Sequence, residues 1–170
     1  MILEKLFPPI WESHHGKGSF ISSMPAGARV LDVGCGNNSP YYFEALRPDS
    51  YYIGLDVGDY DQSEASIYHA DEYHVSTPSD FAGHIDRFRA TIDCIVSSHN
   101  LEHCDDYPAV LRARAQALKP GGRIFFRFPA RPARGFRGAQ GASTSTTITP
   151  LGRTSRLAAL FGSLRRPRSA

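Results

Sequence analysis

Val30-Leu31-Asp32-Val33-Gly34-Cys35-Gly36, followed by Tyr52-Ile53-Gly54-Leu55-Asp56, which ends twenty positions after it, is the stretch that decides the fold. The first run reads as a buried strand ending in a glycine turn. The second reads as another strand ending in a carboxylate. Gly34 and Gly36 let the chain turn sharply and leave backbone N–H groups bare for a ligand. In a parallel α/β sheet the carboxyl ends of adjacent strands lie side by side, so Asp56 is expected to face the mouth of that turn. A carboxylate there can accept both hydroxyls of a ribose, which points to a nucleoside-containing cofactor.

Working outward, the same alternation continues. A helix is expected over 39–46, stopped by Pro48, and a weak strand within 66–75. Thr77-Pro78-Ser79-Asp80 opens a helix running to about Phe88, because Pro suits a first turn and Ser or Asp can cap it. Ile92-Asp93-Cys94-Ile95-Val96-Ser97 is a further buried strand. A helix over 107–118 stops at Lys119-Pro120-Gly121-Gly122, and residues 123–128 make the fifth strand. Near-continuous apolar strands alternating with helices predict a Rossmann-like, doubly wound, mainly parallel sheet. The domain boundaries that follow are an N-terminal extension over 1–28, a cofactor-binding domain over 29–129 and a basic tail over 130–170.

A chain of 170 residues with 41% hydrophobic and 21% charged residues suits one soluble domain with a sizeable core. No apolar run reaches the length of a membrane span, and residues 1–20 lack the apolar core of a signal peptide. Three scattered cysteines form neither a zinc motif nor a disulfide framework, so a reducing cytoplasmic setting is expected. His14 and His15 stand without further ligands, a pattern expected of a solvated loop, and no metal is expected.

A third glycine of the G-x-G-x-x-G fingerprint would fall at position 39, which is Ser39, so a dinucleotide cofactor is disfavoured. Asp32 precedes the turn instead, between two buried valines, where a carboxylate is costly without partners. These residues, with Asp93 opening strand four, Leu101-Glu102-His103 and Leu118-Lys119-Pro120-Gly121-Gly122, resemble the class I S-adenosylmethionine-dependent methyltransferases over about three fifths of the chain. The resemblance implies strand order 3-2-1-4-5 and S-adenosylmethionine as cofactor. It implies that Asp32 helps hold the methionine amino group, that Gly34, Cys35 and Gly36 pass close to the cofactor, and that Asp56 with Val57 takes the ribose. Asp71, or Glu72 in its place, would meet the adenine after strand three. Ser98 and His99 would line the cofactor or acceptor cleft, and Glu102 and His103 would be architectural. No catalytic residue is otherwise identified. His99 is the candidate general base, its rival role being cofactor contact or packing. Methyl transfer from a sulfonium needs mainly alignment, so the lack of a triad is no objection. The expected acceptor is a small molecule or a sugar or lipid intermediate.

The charge is sharply divided. Residues 1–106 hold all 17 acids against six Lys or Arg, a balance of −11, whereas 107–170 hold thirteen Lys or Arg and no acid, +13. Eight arginines fall within 131–168, yet lysine is absent there and aromatics are sparse, so nucleic-acid binding is disfavoured. Nothing after Pro129 reads as the family's final antiparallel strand pair, which predicts an exposed, aggregation-prone edge on the fifth strand. One short amphipathic helix is expected over 157–161. The Arg, Ala, Gly, Pro and Ser composition also matches GC-rich DNA read out of frame. One permitted codon set for 142–150 reads Leu-Asn-Phe-Tyr-Asp-Asp-His-Thr in another frame, a phrase resembling a segment that follows strand five in this branch. Truncation or a frame shift after strand five is therefore expected. The alternative functions are a S-adenosylmethionine-binding but catalytically incomplete protein with a scrambled C-terminus, or an Arg-rich tail that binds nucleic acid.

Overall fold

The computed structural model describes residues 16–36, 38–58, 69–129 and 143–148. The elements run α1 (Lys17–Ser22), β1 (Arg29–Val33), α2 (Ser39–Leu46), β2 (Tyr51–Asp56), β3 (Glu72–Val75), α3 (Phe81–Asp86), β4 (Ile92–Ser98), a 3-10 turn (Leu101–His103), α4 (Tyr107–Ala117), β5 (Leu118–Pro129) and β6 (Ser143–Ile148). They form one six-stranded sheet in the order β3-β2-β1-β4-β5-β6. The first five strands are parallel, in the order 3-2-1-4-5 expected from the sequence. In β1, Leu31 and Val33 join the core under α3 and α4, while Val30 joins the core under α1 and α2. A strand buried on both faces has to be apolar at successive positions, which is why β1, β2 and β4 read as continuous hydrophobic runs.

Local chemistry sets the element ends. The Asp106 carboxylate accepts the Ala109 N–H at 3.0 Å and caps α4, with Pro108 in its first turn. Leu118 passes directly from α4 into β5, and the register between β4 and β5 shifts between Ile92 and Cys94 to absorb the Lys-Pro-Gly-Gly segment, where Gly121 has φ +81°. Lys119 Nζ donates to both oxygens of Asp93 at 2.9 Å and ties that bulge to β4. The helix expected from Thr77 starts only at Phe81 and ends at Asp86. Residues 77–80 form turns instead, with the Asp80 carbonyl receiving the first helical N–H from His84.

The final strand is where the sequence reading needs correction. β6 pairs antiparallel with β5 from Ile124↔Ile148 to Pro129↔Ser143, so β5 is not a bare edge and one partner of the strand pair thought missing is present. Ser-Thr-Ser-Thr-Thr-Ile carries little apolar signal. Threonine and isoleucine nonetheless favour extended backbone, and an outer strand is held by its ladder without needing two buried faces. The helix expected over 157–161, the segments 130–142 and 149–170, and His14 and His15 lie outside the described residues.

Candidate active site at the carboxyl edge of the sheet

The glycine turn after β1 is built by two left-handed residues. Gly34, at φ +76°, donates its N–H to Leu55 O at 2.8 Å and continues the sheet ladder into the turn. A β-carbon on it would lie 2.5 Å from Asn100 Cβ and 2.7 Å from Asn100 Nδ2, so the side chain after β4 lies directly on this glycine. Gly36, at φ +61°, faces open space and donates its N–H to Asp56 Oδ2 at 2.7 Å. The other oxygen, Asp56 Oδ1, accepts the Val57 N–H at 2.7 Å. The carboxylate that ends β2 therefore braces the turn after β1, as the strand register places it. The Cys35 side chain is a further hydrogen-bond partner of this carboxylate, whose two oxygens together offer about four acceptor sites. Burial raises the Asp56 pKa, an effect partly offset by those two N–H bonds. Burial likewise drives the Cys35 thiol far above its usual range, with Asp32 and Asp56 adding to the effect, which disfavours the nucleophilic thiolate.

Asp32 is fully buried on β1. Its Oδ2 accepts from Lys17 Nζ at 3.2 Å and from the Tyr52 hydroxyl at 3.3 Å, whereas its Oδ1 is buried without a partner. Lys17 also donates to Ser39 Oγ at 2.7 Å and so bridges the ends of β1 and α2. Tyr52, wholly buried beside this carboxylate, has its hydroxyl pKa pushed well up by desolvation. Lys17 and Tyr52 are partners of Asp32 in the candidate site that sequence reading misses. Lys17 lies in a His/Gly/Lys segment without periodicity, and its partner comes from tertiary packing of α1.

Two arginines hold α1 in place. Arg47 donates to the carbonyls of Ile21, Met24 and Pro25 and is itself held by Asp49 at 2.8 Å. Arg123 on β5 donates to Ser23 O at 2.6 Å and lies over the Phe20 ring. Cations at a helix C-terminus satisfy carbonyls the helix itself leaves open. Lys17→Met is expected to cost about 1–3 kcal/mol, because it leaves a buried carboxylate with one hydroxyl partner. A lower urea midpoint at unchanged slope would register this. An unchanged midpoint would show the pair to be energetically neutral.

The end of β4 supplies the opposite wall. Ser98 Oγ is buried without a partner. His99 adopts φ +52°, donates its N–H to Arg127 O at 3.0 Å and carries an exposed ring with Nδ1 3.5 Å from Glu102 Oε1. The His103 N–H donates to Asn100 O at 3.0 Å and closes the 3-10 turn. Thus Asp32, Gly34, Cys35, Gly36, Asp56, Val57, Ser98 and His99 gather at one edge of the sheet.

Asp71 does not join them. β3 begins at Glu72, so Asp71 precedes that strand and sits at the amino-terminal end of the sheet. There its carboxylate accepts the Tyr52 N–H at 2.6 Å, and its own N–H donates to Tyr52 O. Glu72 is engaged at the same far end by Arg29, Tyr51 and His74. The weak periodicity of 66–75 left the start of the strand open, and a strand ending before position 71 rather than starting at Glu72 would have put this acid at the opposite edge.

The residues present fit S-adenosylmethionine. A buried, unpartnered carboxylate oxygen on Asp32 asks for a donor, and an ammonium group supplies one. Gly36 leaves room beside the turn for a ligand to approach the backbone. Asp56 offers acceptor capacity to paired hydroxyls.

The chain is similar to known proteins in the same sense. A family model described as a methyltransferase domain matches residues 16–161. The ubiquinone biosynthesis O-methyltransferase of Erwinia tasmaniensis is 34% identical over 120 residues, covering 68% of this chain and 46% of that protein. In general the chain spans about half the length of the curated relatives it matches. Among solved structures, the methyltransferase CalH in complex with S-adenosylhomocysteine superposes with TM-score 0.53 at 21% identity, over 68% of this chain and 36% of that one. The CurJ carbon methyltransferase does so with TM-score 0.54 at 20% identity, over 67% and 33%. These two likenesses speak for the fold. With the glycine turn, its two carboxylates and the strand order in place, the family match is decisive: the chain belongs to the S-adenosylmethionine-dependent methyltransferase-domain family.

Proposed function

We propose that this chain transfers a methyl group from S-adenosylmethionine to an oxygen of a small, hydroxyl-bearing molecule, a sugar or lipid intermediate included. The observation that carries the cofactor half is the buried Asp32 carboxylate, with one oxygen held by Lys17 and Tyr52 and the other free. In this reading Asp32 orients the methionine end, Asp56 and Val57 the ribose, and Ser98 the floor between them. When bound, S-adenosylmethionine supplies a methyl carbon already activated on sulfur, so the protein has mainly to align the acceptor. His99 offers an exposed imidazole, backed by Glu102, to take the proton such a hydroxyl must release. The choice of oxygen is supported by the printed activity of the curated relatives, ubiquinone biosynthesis O-methyltransferases.

No helix among the described residues is long and apolar enough to cross a membrane. Three unpaired cysteines, Cys35, Cys94 and Cys104, support a reducing compartment. The test is methyl transfer from tritiated S-adenosylmethionine to a panel of hydroxylated aromatic acceptors, run with Asp56→Asn as a blank and with sheared RNA as a competing acceptor. Label in the small-molecule fraction that is absent from the blank supports the proposal. Tight cofactor binding with no label transferred anywhere favours the catalytically incomplete alternative. A change of reading frame after strand five is a separate proposal, and an uninterrupted frame across codons 125–150 in independent isolates would exclude it.

A further inference from the structure

Arg114 is a charged side chain that the cofactor site does not account for. It lies on α4 with no exposure at all, and burial pushes its pKa down to about 10. Its Nη2 donates to Asn100 Oδ1 at 2.6 Å, its guanidinium lies 5.6 Å from the centre of the Phe126 ring, and its Nε and Nη1 have no partner. A buried guanidinium held this sparingly is costly, and a packed apolar side chain of similar length would avoid that cost. Core packing alone is therefore a poor reason for an arginine here.

What the arginine does is decide which way an amide points. Asn100 can present either its oxygen or its NH2 to a neighbour of matching character, but arginine has donors only. Arg114 therefore holds the Asn100 oxygen toward α4, where Cys104 Sγ also approaches it at 3.6 Å. The NH2 is then turned the other way, and Nδ2 lies 2.7 Å from the place a β-carbon on Gly34 would occupy. The glycine turn and the Asn100 amide are thus in direct contact, with Arg114 behind them.

We propose that Arg114 is a positioning residue for the cofactor, acting through Asn100. By fixing the amide, it presents an N–H donor and a constant wall at the part of the turn that seats the methionine end. This rests on the reading that Asp32 and Gly34 hold that end. Arg114 thereby sets the preference for the complete cofactor over its nucleoside portion.

The experiment compares calorimetric affinities for S-adenosylhomocysteine and for 5′-methylthioadenosine, which lacks the amino-acid end. Wild type, Asp32→Asn, Arg114→Met, Asn100→Asp and the double variant Arg114→Met/Asn100→Ala are titrated, with melting curves for each. Arg114→Met is expected to weaken S-adenosylhomocysteine about tenfold, the size of one lost hydrogen bond to a charged group, and to leave 5′-methylthioadenosine unchanged. Asn100→Asp keeps an acceptor for Arg114 and so keeps the fold, yet lacks the N–H. It is expected to lose the same preference while melting no lower than wild type, which a merely structural role would not produce. In the double variant the losses should not add, because one group acts through the other. Preference retained in Asn100→Asp, or losses that add, would overturn the role of Arg114 alone. No preference in wild type, or one untouched by Asp32→Asn, would overturn the placement of the methionine end as well.

Discussion

Gly34→Ala is expected to remove cofactor binding and to unfold much of the population at moderate urea. A β-carbon at φ +76° costs about 1–2 kcal/mol by itself. It would also stand 2.5 Å from Asn100 Cβ, and overpacking of that kind typically costs about 1–3 kcal/mol more. Together these are a large share of a domain stability of about 5–15 kcal/mol. Relief is blocked on both sides. Moving Asn100 breaks its bond to the buried Arg114, and moving the turn breaks the Gly34 N–H bond to Leu55 O. Gly36→Ala is the internal comparison: its φ is also positive, but nothing stands within 4 Å of the added carbon. It should show the backbone cost alone. Equal urea midpoints for the two variants would contradict the steric account.

Asp56→Asn is expected to weaken S-adenosylhomocysteine about a hundredfold or more while leaving a folded protein. The two carboxylate oxygens each accept one backbone N–H, from Gly36 and from Val57. Whichever way an amide is placed, its NH2 faces one of these donors. That amide hydrogen is then opposed, and the turn opens at the point where the ribose is expected. The pH behaviour follows from burial, which raises the Asp56 pKa above the ordinary carboxylate value of about 3.9. The native state holds this proton more tightly than the unfolded chain, so the ionised group costs stability above its folded pKa, and the cost fades as pH falls through it. Cofactor affinity moves the other way and weakens over the same fall, because protonation removes an acceptor. In Asp56→Asn neither dependence should arise from this site. An affinity within a few-fold of wild type would remove Asp56 from the ribose contact.

Much of this was legible in the residues. Near-continuous apolar runs at 30–33, 52–55 and 92–97, interrupted only by Asp32, Gly54, Asp93 and Ser97, are the pattern of strands buried on two faces, and that favours a parallel sheet with helices on both sides. Gly34, Gly36 and Asp56 followed from the need for a sharp turn and a carboxylate at one edge. Three matters were not legible, each for its own reason. Asp71 was misplaced because β3 is four residues long and half-exposed, too short to fix its own start. β6 was missed because its backbone ladder leaves little trace in hydropathy. Lys17 and Arg114 were missed because their meaning lies in partners at Asp32, fifteen positions away, and Asn100, fourteen positions away.

The sequence by itself determined the alternation of strands and helices, the glycine turn and the two carboxylates beside it, since these depend on local conformation and on the period of burial. Tertiary structure alone decided which polar groups meet. It brought Lys17 to one oxygen of Asp32 and left the other free, turned the Asn100 amide toward Gly34, and set β6 beside β5. Such pairings depend on where packed elements stop relative to one another. A side chain reaches only a few ångströms, so a shift of one residue in register changes its partner.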